Sequence, residues 1–197
     1  MEESVMAIYE GMLWCDLEAT GTKLPESEII QIGCILTDNK LNEQGHVEFT
    51  IRPKAQPEDW GDVARKMHTE NGLLEKAMAS PIGLGTAELE VLHWLGMLVP
   101  DRKTIFHLAG SGVAAYDRPF LNHYMPALAK RLAYSAYDVG HIRRLAKLVG
   151  VDPQINEKKD HTSLGDLRCH IAEAKFWLEL IKLGAENILT TDQLVSQ

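Results

Sequence analysis

The chain is poor in the features that announce a protein class at once. Its 197 residues include only three cysteines, Cys15, Cys34 and Cys169, without CxxC spacing. So odd and sparse a set excludes a disulfide framework and a cysteine-built zinc site, and reads as free thiols in a reducing compartment. No apolar run approaches the roughly 18 to 20 residues that a membrane span needs. The opening MEESVMAIYEG starts acidic and has no basic stretch followed by an apolar one. No secretory leader and no membrane association are therefore expected, and the expected location is the cytoplasm. Positive charge is scarce too: 20 Lys and Arg stand against 28 Asp and Glu, a net charge of −8. That excludes broad, sequence-independent binding to long duplex DNA, which relies on neutralising many phosphates. It leaves room for a small site in which metal ions help to hold a few phosphates.

What is present is an ordinary globular composition, 45% hydrophobic and 24% charged, long enough for one domain with a substantial core. Residues 12–19 (MLWCDLEA) and 29–38 (IIQIGCILTD) are β-prone apolar runs, and 46–52 (HVEFTIR) alternates; all three predict strands. Helical character follows at 62–79 and 86–98, the second with Leu89, Leu92, Trp94, Leu95 and Leu98 along one face. A fourth strand is expected at 104–109, a helix near 117–131, a short strand at 136–139 and a helix at 141–149. The last helix is expected over 163–183, with Leu167, Ile171, Ala174, Trp177, Leu178 and Ile181 as its apolar stripe. The expected organisation is one domain over residues 1–184 and a weakly ordered tail over 185–197. Strands first, then strand–helix alternation, indicate an α/β or α+β sheet protein.

Asp16 and Glu18 lie two apart inside an apolar strand, so they share one face. Two carboxylates there repel each other and lose hydration unless a cation holds them; an exposed strand face is the plainer explanation. Asp117, after the fourth strand, suits a helix start. Asp166 follows His161 by five residues, just where the last helix begins with Ser163 as a candidate cap, and a first-turn carboxylate suits the helix dipole. Each signal is weak alone.

Together, Asp16, Glu18, Asp117, His161 and Asp166 have the order and spacing of the DEDDh exonucleases. The surrounding blocks LWCDLEATG, IIQIGCILTD, MHTENGLL, DRPFLNHYMPAL, AYDVGHIRRLAKL and HTSLGDLRCHIAEAKFWLELI resemble the oligoribonucleases over nearly the whole chain. The resemblance implies an α/β protein of ribonuclease H-like fold, with a central mixed five-stranded sheet flanked by helices. It implies a 3′→5′ exonuclease that releases nucleoside monophosphates from short single-stranded RNA with two divalent cations, Mg²⁺ or Mn²⁺. Asp16 would bridge the ions, Glu18 and Asp166 would complete the ion that activates water, and Asp117 would support the second. His161 would be the general base. Thr20, Gly21 and Ser111 are implied substrate contacts. Trp60 approximately matches a base-stacking tryptophan, with a partly buried loop anchor as the alternative. Tyr134 stands where a homodimer's partner subunit would complete the site.

The match also breaks. A leucine that wedges between bases in the family is Thr22 here, and an asparagine–serine pair is Ser111 and Gly112. Residues that enclose a 5′ phosphate become Ser135, Gly140 and Asp160. These departures predict weak discrimination between two-nucleotide and longer substrates. Two other readings remain: an exonuclease on single-stranded DNA or longer RNA, and a catalytically silent nucleic-acid-binding module. The survival of all five catalytic positions counts against the second.

Overall fold

The computed structural model describes residues 7–153 and 162–195, the stretch 188–195 as helix backbone only. Three strands, β1 (Ile8–Ala19), β2 (Ile29–Thr37) and β3 (Glu43–Thr50), form an antiparallel meander. After helices α1 (Asp62–Glu70), α2 (Leu73–Ala79) and α3 (Leu84–Leu98), strand β4 (Ile105–Gly110) returns parallel to β1. Helices α4 (Asp117–Tyr124) and α5 (Pro126–Ala129) lead to β5 (Leu132–Asp138), parallel to β4. Helices α6 (Val139–Leu148) and α7 (Ser163–Val195) follow, and the sheet order is β3-β2-β1-β4-β5. This is the mixed five-stranded sheet with flanking helices that was expected.

Alternation along β1 divides the core. Leu13, Cys15 and Leu17 face Val91 and Leu95 of α3 and Phe120 and Leu121 of α4. Trp14 points the other way, into a cluster with Ile35, Ala109 and Val139, and with Leu167, Ile171 and Ala174 of α7. Each fully buried leucine, isoleucine, valine or phenylalanine among them contributes about 1.5–3 kcal/mol. The Trp14 indole N–H donates to Thr37 Oγ1 at 3.0 Å, so the largest side chain of that layer leaves no unsatisfied donor. Every residue of β2 is buried, because it lies between two strands under both layers. Asp16 and Glu18 continue the Trp14 face, which places them under α7.

Several element boundaries differ from expectation. The helical stretch 62–79 is broken at Asn71–Gly72, where Gly72 takes φ +75°, a conformation that glycine adopts without strain. The stretch 117–131 breaks before Pro126, as proline disfavours helical backbone in the residue ahead of it. Strand β5 starts four residues early because Leu132 pairs with Phe106 of the buried β4. The apolar stripes are shorter than predicted. In α3, Leu89 and Leu98 are exposed, and in α7 so are Leu178 and Ile181, beyond the reach of the sheet. Helix α7 also runs past 183 to Val195. Gly184 costs a helix only about 1 kcal/mol relative to alanine, and Ala185 and Glu186 after it favour the helix. Among the described residues no helix is long and apolar enough to cross a membrane.

Candidate active site

The carboxylates arrive from three elements. Asp16 and Glu18 sit near the C-terminal end of β1. Strand β4 ends beside it at Gly110, and the segment 111–116 turns into α4, whose first residue is Asp117. Asp117 Oδ1 accepts the backbone N–H of Leu17 at 2.9 Å, which latches the nearly buried carboxyl to β1 between Asp16 and Glu18. The fourth comes from the first turn of α7. There Thr162, rather than the expected Ser163, caps the helix: its Oγ1 accepts the Gly165 N–H at 3.1 Å. Ser163 is inside the helix and its hydroxyl donates elsewhere, to Glu48 Oε1 at 2.8 Å. Asp166 Oδ1 is buried and accepts no hydrogen bond.

These groups share one electrostatic neighbourhood. Burial, then the charge of Asp166, pushes Glu18 up to about 7. Burial also drives Asp117 up to about 7, against the stabilising Leu17 N–H, with Glu18 and Asp138 adding repulsion. The Tyr116 hydroxyl is raised by burial and by Asp117, Glu18 and Asp16 in turn. The carboxylates do not form a closed cage. Among the described residues, no three Asp, Glu, His or Cys side chains are gathered tightly enough to hold a metal ion as they stand.

A cleft of about 280 Å³ opens beside Glu18, lined by Ala19, Gly21, Thr22, Val63 and Met67 with Tyr116 and His68. Tyr116 closes one side by donating its hydroxyl to Gly21 O at 3.2 Å. His68 closes the floor, fully buried, with Nε2 at 3.1 Å from Ala19 O and 3.7 Å from Glu18 Oε2. Burial lowers its pKa, so it is neutral at pH 7 and donates from Nε2 to the carbonyl. Val63 and Met67 are exposed at the rim.

The other expected contacts fare differently. Gly21 lines the cleft, but Thr20 does not face it: the side chain is buried and its Oγ1 accepts the Glu28 N–H at 2.9 Å. Trp60 is only 4% exposed, packed with Ile30, Leu73 and Ala77, and its indole N–H donates to Ala55 O at 3.3 Å. It is a buried anchor for the loop ahead of α1, with no free ring face for a base. Ser111 is half-buried, with Oγ facing Gly140. Tyr134 is fully exposed on β5, two strands from β1, and so does not reach the carboxylates of its own chain. His161 and Asp160 lie outside the described residues. Nothing in the sequence singles out Tyr116 or Asp138, and His68 stands out only within the matching stretch MHTENGLL. Asp138 Oδ1 accepts the N–H groups of both Gly112 and Gly140 at 3.0 Å, tying the 111–116 segment to the start of α6.

Comparison with known proteins agrees with this architecture. The family model described as Exonuclease (RNase_T) matches residues 13–174. The oligoribonuclease of Actinobacillus succinogenes is 35% identical over 181 residues, covering 88% of this chain and 97% of that protein. That of Pasteurella multocida is 36% identical over 175 residues, covering 86% and 93%. Among solved structures, E. coli exonuclease I in complex with a dT13 oligonucleotide superposes with TM-score 0.62 at 18% identity, covering 85% of this chain. Exonuclease I from Methylocaldum szegediense gives TM-score 0.62 at 19% identity over 84% of this chain. This chain spans 40% and 39% of those two longer chains, so the likeness is one of fold, the ribonuclease H-like exonuclease fold. With a family model over most of its length and relatives matched nearly end to end, this chain belongs to the oligoribonuclease family of exonucleases.

Proposed function

We propose that the chain is a 3′→5′ exonuclease that removes nucleoside monophosphates from short single-stranded oligoribonucleotides, using two divalent cations and His161 as general base. The observation that carries the reading is the meeting of Asp16, Glu18, Asp117 and Asp166 beside an apolar cleft. Two of these carboxyls are lifted to about 7 by burial and mutual charge, and a third has a buried oxygen without a hydrogen-bond partner. Oxygen donors of this kind suit Mg²⁺ or Mn²⁺. Their crowding without a closed cage fits ligands that are drawn together only when a cation neutralises them. Asp16, Glu18, Asp117 and Asp166 would hold the ions, which when bound polarise the phosphoryl group, acidify a water and offset charge on the leaving oxygen.

The chain's own groups then divide the work. The cleft beside Glu18 takes the 3′-terminal nucleoside, with Val63 and Met67 against the base and Tyr116 and Gly21 framing it. Contacts of this kind bind any base without reading sequence. His161 takes the proton from the attacking water; an ordinary histidine pKa near 6.5 suits that task. His68, held neutral and buried against Glu18, adds no competing positive charge. Tyr134, exposed on an edge strand, is available to the site of a second copy, which supports a homodimer. The proposed location is the cytoplasm.

Where a 5′ phosphate would need donors, the Gly112 and Gly140 N–H groups are already used by Asp138. Asp138 Oδ2 accepts no hydrogen bond and adds negative charge there, 3.4 Å from His141 Nδ1. Labelled RNA and DNA oligomers of graded length, incubated with Mn²⁺ or with EDTA, test the substrate class. Metal-dependent shortening of RNA is expected; shortening of DNA alone, or of neither, contradicts the proposal.

A further inference from the structure

The register of the sheet builds a seat for α7. Asp16 of β1 stands opposite Gly33 of β2, and Gly33 opposite Glu48 of β3. Directly opposed residues project to the same face, so the three make a row beneath α7 with a gap where glycine has no side chain. Ser163, the first residue of α7, fills the gap. A Cβ on Gly33 would overlap the Ser163 hydroxyl and come within 2.8 Å of its Cβ. Ser163 is fully buried and its hydroxyl donates to Glu48 Oε1 at 2.8 Å; the Leu164 N–H approaches the same oxygen at 3.4 Å. A carboxylate is favoured at a helix start both by charge-assisted hydrogen bonds and by the helix dipole. Past Asp166, Arg168 is held by Glu43 through Nε at 3.3 Å and through a terminal nitrogen at 3.2 Å. Strand β3 therefore grips α7 on both sides of Asp166.

We propose that Glu48 is a positioning residue: acting through Ser163 and the Gly33 notch, it fixes where Asp166 stands relative to Asp16 and Glu18. The proposal rests on the exonuclease reading above. A helix cap that served stability alone would need no particular height over the sheet. Here the contact sits in the same cross-strand row as Asp16, one helical turn from Asp166, so a shift of the helix start moves one ligand against another.

The test compares wild type with Glu48→Ala, Glu48→Gln and Ser163→Ala. Mn²⁺ affinity is read by calorimetry, amide hydrogen exchange over residues 163–168, and kcat and KM on a short RNA. Supports of metal ligands typically change affinity tenfold or more, so Glu48→Ala is expected to weaken Mn²⁺ binding roughly tenfold. It should speed exchange at 163–168 and lower kcat with KM nearly unchanged. Glu48→Gln keeps an acceptor for Ser163 and should stay within about threefold of wild type. Ser163→Ala should repeat the alanine pattern, and the double variant Glu48→Ala with Ser163→Ala should be little worse than either alone. Wild-type Mn²⁺ affinity in Glu48→Ala overturns the proposal, as does a glutamine variant as impaired as the alanine one. If Glu48→Ala does not fold, wild-type affinity in Ser163→Ala overturns it instead. Failure of the exonuclease reading looks different: the wild type itself then shows no metal-dependent hydrolysis, whatever the exchange at 163–168.

Discussion

Removing the charge of Asp117 should stabilise the metal-free protein, and the gain should grow with pH. The Asp117 carboxyl titrates near 7 in the folded chain against an ordinary value of 3.8. Between these values the folded state holds a proton that the unfolded state has released, so stability present in acid is lost as pH rises through about 7. A shift of about three units corresponds to about 4 kcal/mol. Asp117→Asn keeps an oxygen for the Leu17 N–H and carries no charge at any pH. Urea unfolding in EDTA should therefore find the variant more stable than wild type by up to about 4 kcal/mol near pH 8, and equal to it near pH 4. Carboxylates such as Glu43, held below their usual range by Arg168, weaken both proteins alike in acid and cancel in the difference. Added Mn²⁺ should stabilise the wild type and close the gap. A variant no more stable than wild type near pH 8, or a gap that ignores pH, would show that the buried Asp117 charge does not destabilise the fold.

Three further outcomes are expected. His161→Ala should lower turnover by about 10²-fold or more with metal affinity retained, and flatten the acidic limb of the rate profile; turnover within about twofold of wild type near pH 8 would exclude it as the base. Met67→Asp, at the cleft rim, should raise KM for short RNAs about tenfold with little change in kcat, since it puts charge where a base would lie; an unchanged KM would place the nucleoside elsewhere. Comparison of kcat/KM for RNAs of two, five and ten nucleotides, with and without a 5′ phosphate, should show less than about a tenfold preference for the phosphorylated dinucleotide. A steep preference would mean that other residues rebuild a phosphate cap.

The fold was legible in the sequence wherever apolar pattern decides it. The run IIQIGCILTD reads as a strand, which β2 is, and the Asp16–Glu18 spacing already placed both carboxylates on one side of β1. What escaped depends on register between elements distant in sequence. Nothing in HVEFTIR says that Glu48 lies opposite Gly33, or that Gly33 lies opposite Asp16. The resemblance implied Thr20 as a substrate contact, yet its hydroxyl accepts the Glu28 N–H and ties off the 20–28 turn. For Trp60 the sequence leaves open a stacking ring or a buried loop anchor, and the packing of α2 beside it shows why its ring is covered. Helix ends turn on single residues: Gly72 breaks a helix by turning left-handed, while Gly184 does not.

Asp16, Glu18, Asp117 and Asp166 are proposed to work a 3′→5′ exonuclease with bound metal. This is tested most directly by following a short RNA labelled at its 5′ end, with wild type and Asp166→Ala, in Mn²⁺ and in excess EDTA. A ladder of labelled products shortened one nucleotide at a time from the 3′ end is expected, seen only with the wild type in Mn²⁺. Release of the label as a mononucleotide at the outset, or an unchanged ladder in EDTA or in Asp166→Ala, would contradict it.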